Sequence, residues 1–174
     1  MKKIVFILSF ILLFFLAGNI GEAKVIIPDE AIRLRVIPNS NSEYDQNIKT
    51  KVKNNLQQNM TKLLKNSESI DEARQIINEN LSIIDNDIKK LLDSEKYPLG
   101  YKINFGYNYF PKKEFKGVVY DEGYYESVVV TLGEGRGDNW WCVLFPPLCL
   151  MEASESDKVE YASFVKTIID KYTK

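Results

Sequence analysis

The sequence predicts an α+β domain, with an antiparallel or mixed sheet of about four strands packed against about three helices and preceded by an export signal. Three observations predict it. The chain opens on a basic, then apolar, then small-residue run. Two long stretches of its first half repeat apolar residues at helical spacing, and beyond Tyr97-Pro98 the pattern switches to a period of two.

The opening run reads MKKIVFILSFILLFFLAGNIGEAKV: Lys2 and Lys3, an apolar stretch from Ile4 to Ala17, then a cleavage pattern at Gly21-Glu22-Ala23. This is the layout of a secretory signal peptide over residues 1–23. Retention as a short anchor is the competing reading, because Ile4 to Ile20 falls just under the roughly 20 apolar residues that span a bilayer. Under either reading residues 24–174 are exported and form a single domain.

The formal net charge of the 174 residues is −1, which excludes the basic footprint of a nucleic-acid binder. Lysines do cluster, at Lys49, Lys51 and Lys53 and again at Lys112, Lys113 and Lys116, but nearby acids balance them and they read as solvated faces. The chain contains no histidine. Ser-His-Asp and Cys-His catalysis are thereby excluded in their usual form, since no imidazole can act as base. Its two cysteines, Cys142 and Cys149, are expected to pair in an exported protein, closing a small loop for roughly 2 to 3 kcal/mol. The alternative is two buried thiols. Two sulfur ligands without histidine do not make a zinc site, so no metal or cofactor is expected.

The elements follow in order. Ile32, Leu34 and Val36 alternate with Arg33, Arg35 and Ile37, a strand that Pro38 ends. Ser40 or Ser42 then caps a helix from about Glu43 to Lys65, whose inner stripe is Ile48, Val52, Leu56, Met60 and Leu63. Ser69, with Glu72 three residues on, caps a second helix to about Leu92, with Ala73, Ile77, Leu81, Ile84, Ile88 and Leu91 inward. Tyr101, Ile103, Phe105, Tyr107 and Tyr109 mark a strand whose aromatic face could bind carbohydrate but is expected to pack on these helices, the commoner use of such a face. Phe115 to Tyr120 and Tyr124 to Leu132 complete an expected three-stranded meander. A last helix from about Ser156 to Tyr172 turns Tyr161, Phe164, Val165, Ile168 and Tyr172 inward.

Between the last strand and the last helix lies GEGRGDNWWCVLFPPLCLM, residues 133–151. Gly133, Gly135 and Gly137 suggest a phosphate nest, but the Gly-Lys-Ser/Thr ending of a P-loop is missing. Glu134 and Asp138 are the candidate carboxylates of a cell-wall hydrolase or glycan-binding protein, with tryptophans to stack on sugar. A third reading is a flexible glycine lead that projects a rigid, disulfide-closed loop toward a partner, with Trp140, Trp141, Phe145, Pro146, Pro147 and Leu148 as its contact residues. Its rival is a loop that folds back to plug the core.

IRLRVIPNSNSEYDQNIKTKVKN, GYKINFGYNYFPKKEF and above all GEGRGDNWWCVLFPPLCLM resemble the stage II sporulation protein R family of endospore-forming bacteria, across nearly the whole exported chain. Pro38 stands where that family usually has alanine, Asn41 where it usually has aspartate, and Tyr120 to Gly123 lacks a common Pro-Ala-Gly. The resemblance implies a signal and not an enzyme. Such proteins are made in the forespore and exported into the space facing the mother cell. There they activate a membrane-embedded aspartic protease that cleaves the pro-segment of the sigma-E precursor. On that reading loop 140–150 meets the protease at or near the membrane surface, Cys142 and Cys149 hold its shape, and Asn39, Ser40 and Asp45, which match the family's other motif, serve a structural role.

Overall fold

Residues 25–26, 30–115, 118–150 and 158–172 are described by the computed structural model. The strand Ile32–Ile37 (β2) stands inside a four-stranded mixed sheet, because both its faces are covered and both its edges are paired. On one side it runs parallel to Gly123–Leu132 (β6), Leu34 opposite Val128. On the other it runs antiparallel to Trp140–Phe145 (β7), Val36 opposite Trp140 and Arg35 opposite Trp141. Tyr101–Phe110 (β3) pairs antiparallel with β6 over the full ten residues, giving the order β3-β6-β2-β7.

Two helices, Glu43–Leu64 (α1) and Ile70–Ser94 (α2), cover one face of this sheet. Their ends follow from their caps: the Ser42 hydroxyl accepts from the Asp45 amide at 3.2 Å, and that of Ser69 accepts from the Glu72 amide at 3.2 Å. Glu72 in turn accepts from the Glu68 amide at 2.9 Å. The α1 stripe continues at a spacing of four to a buried Leu64, with the expected Leu63 only half-buried; in α2, Leu92 is buried in place of Leu91. Ile32, Leu34, Val36, Val128, Val130 and Leu132 meet these stripes in one core. Each such side chain contributes roughly 1.5 to 3 kcal/mol by leaving water.

Polar clamps orient the layers. Arg74 of α2 grips Glu126 of β6 with Nε at 2.8 Å, and Tyr101 of β3 donates to the Asp85 carboxylate of α2 at 2.7 Å. Burial and that carboxylate push the Tyr101 phenol up to about 12. Beyond Arg74 the helices no longer cover the sheet. Tyr101, Ile103 and Phe105 pack inward as expected, whereas Tyr107 and Tyr109 on the same face are 73% and 47% exposed.

The expected meander is not formed. Lys113–Phe115 (β4) and Val118–Tyr120 (β5) leave the main sheet and make a small one with Val25–Ile26 (β1), in the order β1-β5-β4. Pro111 follows β3 at once and ends its run, and β6 takes the place beside β3 that the meander assigned to Phe115–Tyr120. The helix Lys158–Tyr172 (α3) completes the architecture. Its Val165 joins Ala31, Val118, Val143 and Leu148 in a second core. The expected signal segment 1–23 and the side chains of Tyr161 and Phe164 lie outside the described residues.

Candidate functional site

Since β6 and β7 flank β2 on opposite sides, the chain between them must cross the end of β2. That crossing is the glycine segment, and it presses on the turn from Pro38 to Ser42 that leads β2 into α1. The Arg136 amide donates to Asn39 O at 3.1 Å, Gly137 to Pro38 O at 3.1 Å, and Asp138 to the Asn41 side chain at 2.6 Å. A Cβ on Gly137 would lie 2.2 Å from the Ser40 carbonyl oxygen. Gly133 has φ +55, and a Cβ there would lie 2.5 Å from Asn39 Oδ1. These glycines serve close backbone approach. The expectation of a flexible glycine lead is therefore corrected: the crossing is locked to the turn beneath it.

Asn39 and Asp45 form the lock. The Asn39 amide nitrogen donates to Asp45 Oδ2 at 3.0 Å while its oxygen accepts from the Glu134 amide at 3.1 Å. Ser40 donates its hydroxyl to the same Asp45 oxygen at 2.6 Å. These donors, Ser40 foremost, hold the buried Asp45 carboxyl below its ordinary value even though burial works the other way. One buried carboxylate at the first turn of α1 thus fixes the turn, and the turn fixes the crossing.

From the crossing the chain enters β7. Residues 140–145 are a strand and not the projecting loop that the glycines and prolines suggested. Alternation sends its two tryptophans to opposite faces. Trp140 and Cys142 pack toward the helices, and the Lys53 ammonium stands 5.4 Å from the Trp140 ring. Trp141 lies edge-on to Phe110 at 5.2 Å, with the Lys113 ammonium 5.1 Å from its ring. Below them Arg33 is buried with its guanidinium 3.3 Å from the Tyr125 ring centroid. The outer half of the strand, Trp140 to Cys142, is half-buried; the inner half, Val143 to Phe145, is buried.

The remaining expected contact residues divide. Phe145 belongs to the main core against Tyr172, Leu148 to the second core, and Pro146 is buried; Pro147 is half-exposed. The first three are packing residues, so the surface narrows to Trp140, Trp141 and Pro147. Cys142 and Cys149 form a disulfide, Cα–Cα 5.6 Å, that ties β7 to the 3-10 turn Leu148–Leu150. Helix α1 presents a row that the periodicity did not single out. Lys49 donates to Asp138 O at 2.8 Å, Lys53 stands over Trp140, and Gln57 donates to Cys149 O at 2.7 Å. Their spacing of four is the signal that places them on one side of a helix.

The two candidate carboxylates are not brought to one groove. Glu134 pairs with Arg136 at 3.0 Å and lines a groove of about 530 Å³ with Asn39, Leu99, Gly100, Tyr101, Lys102 and Gly133; Asp138 is not among its walls. Among the described residues no group of three or more metal-ligating side chains assembles, and no helix is long and apolar enough to cross a membrane.

Fold and site define a small mixed-sheet α+β domain whose distinctive surface is an aromatic edge strand, fixed by a glycine crossing and a disulfide. The chain belongs to the stage II sporulation protein R family, whose model matches residues 28–155. It is 37% identical over 171 residues to stage II sporulation protein R of Bacillus subtilis (strain 168), covering 92% of this chain and 76% of that relative. No solved structure matches it. The family assignment supports a role in sporulation.

Proposed function

We propose that this protein is an exported forespore signal that activates the membrane-embedded aspartic protease of the mother cell, which then processes the sigma-E precursor. Membership of the stage II sporulation protein R family supports the setting, and the export pattern of residues 1–23 supports the route. The observation that carries the mechanism is the outer half of β7. It is an edge strand with Trp140 on one face and Trp141 on the other, both half-buried.

An activating ligand shifts its target only by binding the active state better than the inactive one. Large aromatic side chains supply such a difference, and a strand already held by the Asn39–Asp45 lock and the Cys142–Cys149 bridge spends little ordering free energy on binding. The same surface contacts the protease near the outer face of the membrane. The hydrolase alternative draws no support from the geometry, since Glu134 is ion-paired and Asp138 stands apart from its groove. The test is precursor cleavage in non-sporulating cells that express the precursor and the protease, with and without this chain.

A further inference from the structure

The outer edge of β7 carries a second layer of information. Among the described residues β7 pairs with β2 alone, so its other hydrogen-bonding side meets no strand. An unpaired edge is a template for another extended chain. The inner half of that edge is walled in: Val143 shares a core with Val165 of α3, and Phe145 packs on Tyr172 at 5.1 Å. The outer half, Trp140 to Cys142, is only half-buried, with Cys142 at its inner end bridged to Cys149, and it is there that the incoming chain is placed.

Charge selects the chain. Lys53 stands over Trp140 on one face and Lys113 over Trp141 on the other, and Lys49 sits at the entrance to the strand against Asp138 O. No carboxylate among the described residues pairs with any of these three ammonium groups. We infer that the partner adds a short extended segment beside Trp140–Cys142 as a fifth strand, and that this segment carries two neighbouring acidic residues. Adjacent residues of a strand point to opposite faces, so one carboxylate reaches Lys53 and the next reaches Lys113. Main-chain hydrogen bonds supply affinity and the flanking lysines supply the choice of sequence, which is the division of labour in strand addition.

This inference rests on the activator reading, so its test separates the two. The exported chain is mixed with the detergent-solubilised protease, and amide hydrogen exchange and precursor cleavage are measured together. Amides of residues 140–142 are expected to exchange at least tenfold more slowly in the complex. Lys53→Glu combined with Lys113→Glu is expected to lower activation at least tenfold, with the thermal midpoint of the free chain unchanged. Lysine substitutions at the partner's acidic pair are expected to restore it. Milder Lys53→Gln and Lys113→Gln variants keep the comparison available if charge reversal impairs folding. Activation without slowed exchange at residues 140–142, or full activation by the charge-neutral and charge-reversed variants, overturns strand addition while leaving the activator reading intact. Slowed exchange in the chain alone, rising with its concentration, assigns the edge to a second copy and also overturns it. Failure of the parent chain to activate overturns both readings.

Discussion

The backbone of Gly137 lies against the carbonyl of Ser40 so closely that a Cβ would come within 2.2 Å of that oxygen. Two segments nearly a hundred residues apart in sequence are thus in main-chain contact, and the contact sets where β7 begins. Gly137→Ala is expected to lower stability by about 1 to 3 kcal/mol, because a fixed backbone atom cannot move aside as a side chain can. Denaturant midpoints would show it, with Glu134→Ala, an exposed site on the same crossing, within about 0.5 kcal/mol of the parent.

Asp45 makes the lock pH-dependent. Its folded value lies below the ordinary 3.8, so the unfolded chain takes up this proton more readily. The stabilisation is complete above the ordinary value and is lost as pH falls through the lower folded one. Asp45→Asn should therefore unfold at lower urea than the parent at pH 7, with the gap closing below about pH 4. A gap that stays constant from pH 7 to pH 3 would contradict the assignment.

The two tryptophans should separate stability from activity. Trp141 packs edge-on to Phe110, and Trp141→Ala is expected to cost about 2 kcal/mol, roughly half the penalty of a fully buried ring. Trp140 borders the main core, and its substitution should cost a similar amount or less. Both variants should reach the medium in export assays yet activate precursor cleavage at least tenfold less well.

Reduction or a double Cys142→Ser, Cys149→Ser change should lower stability by about 2 to 3 kcal/mol, the chain-entropy value for so small a loop. Thermal melts with and without reductant check this. The serine variant should show no further response to reductant.

Much of the fold was legible locally. The caps at Ser42 and Ser69 and the spacing of Ile48, Val52, Leu56 and Met60 are properties of single helices, and the sequence displays them directly. The period of two along β3 told which side chains share a face, but where the covering helices stop is a tertiary fact, and Tyr107 and Tyr109 emerged beyond that limit. The split of β4 and β5 from the main sheet was likewise invisible, because alternation does not name a pairing partner.

The site was half legible. The aromatic run from Trp140 stands out in the sequence, but its glycine lead and Pro146-Pro147 close suggest a loop. Between those breakers, WWCVLF is a strand-length run of aromatic and aliphatic residues, which is the local signal of the strand. In the sequence Lys49, Lys53 and Lys113 read as solvated faces, since no local pattern reveals that two lysines from different elements flank one edge strand.

The most direct measurement is sigma-E precursor cleavage in non-sporulating cells expressing precursor and protease, scored with this chain, without it, with its signal segment deleted, and with Trp140→Ala and Trp141→Ala. Cleavage that requires the chain and its export, and that falls at least tenfold in the tryptophan variants while they remain folded and exported, is the predicted result. No cleavage with all three proteins present and this one exported, or undiminished cleavage with both tryptophans replaced, would contradict it.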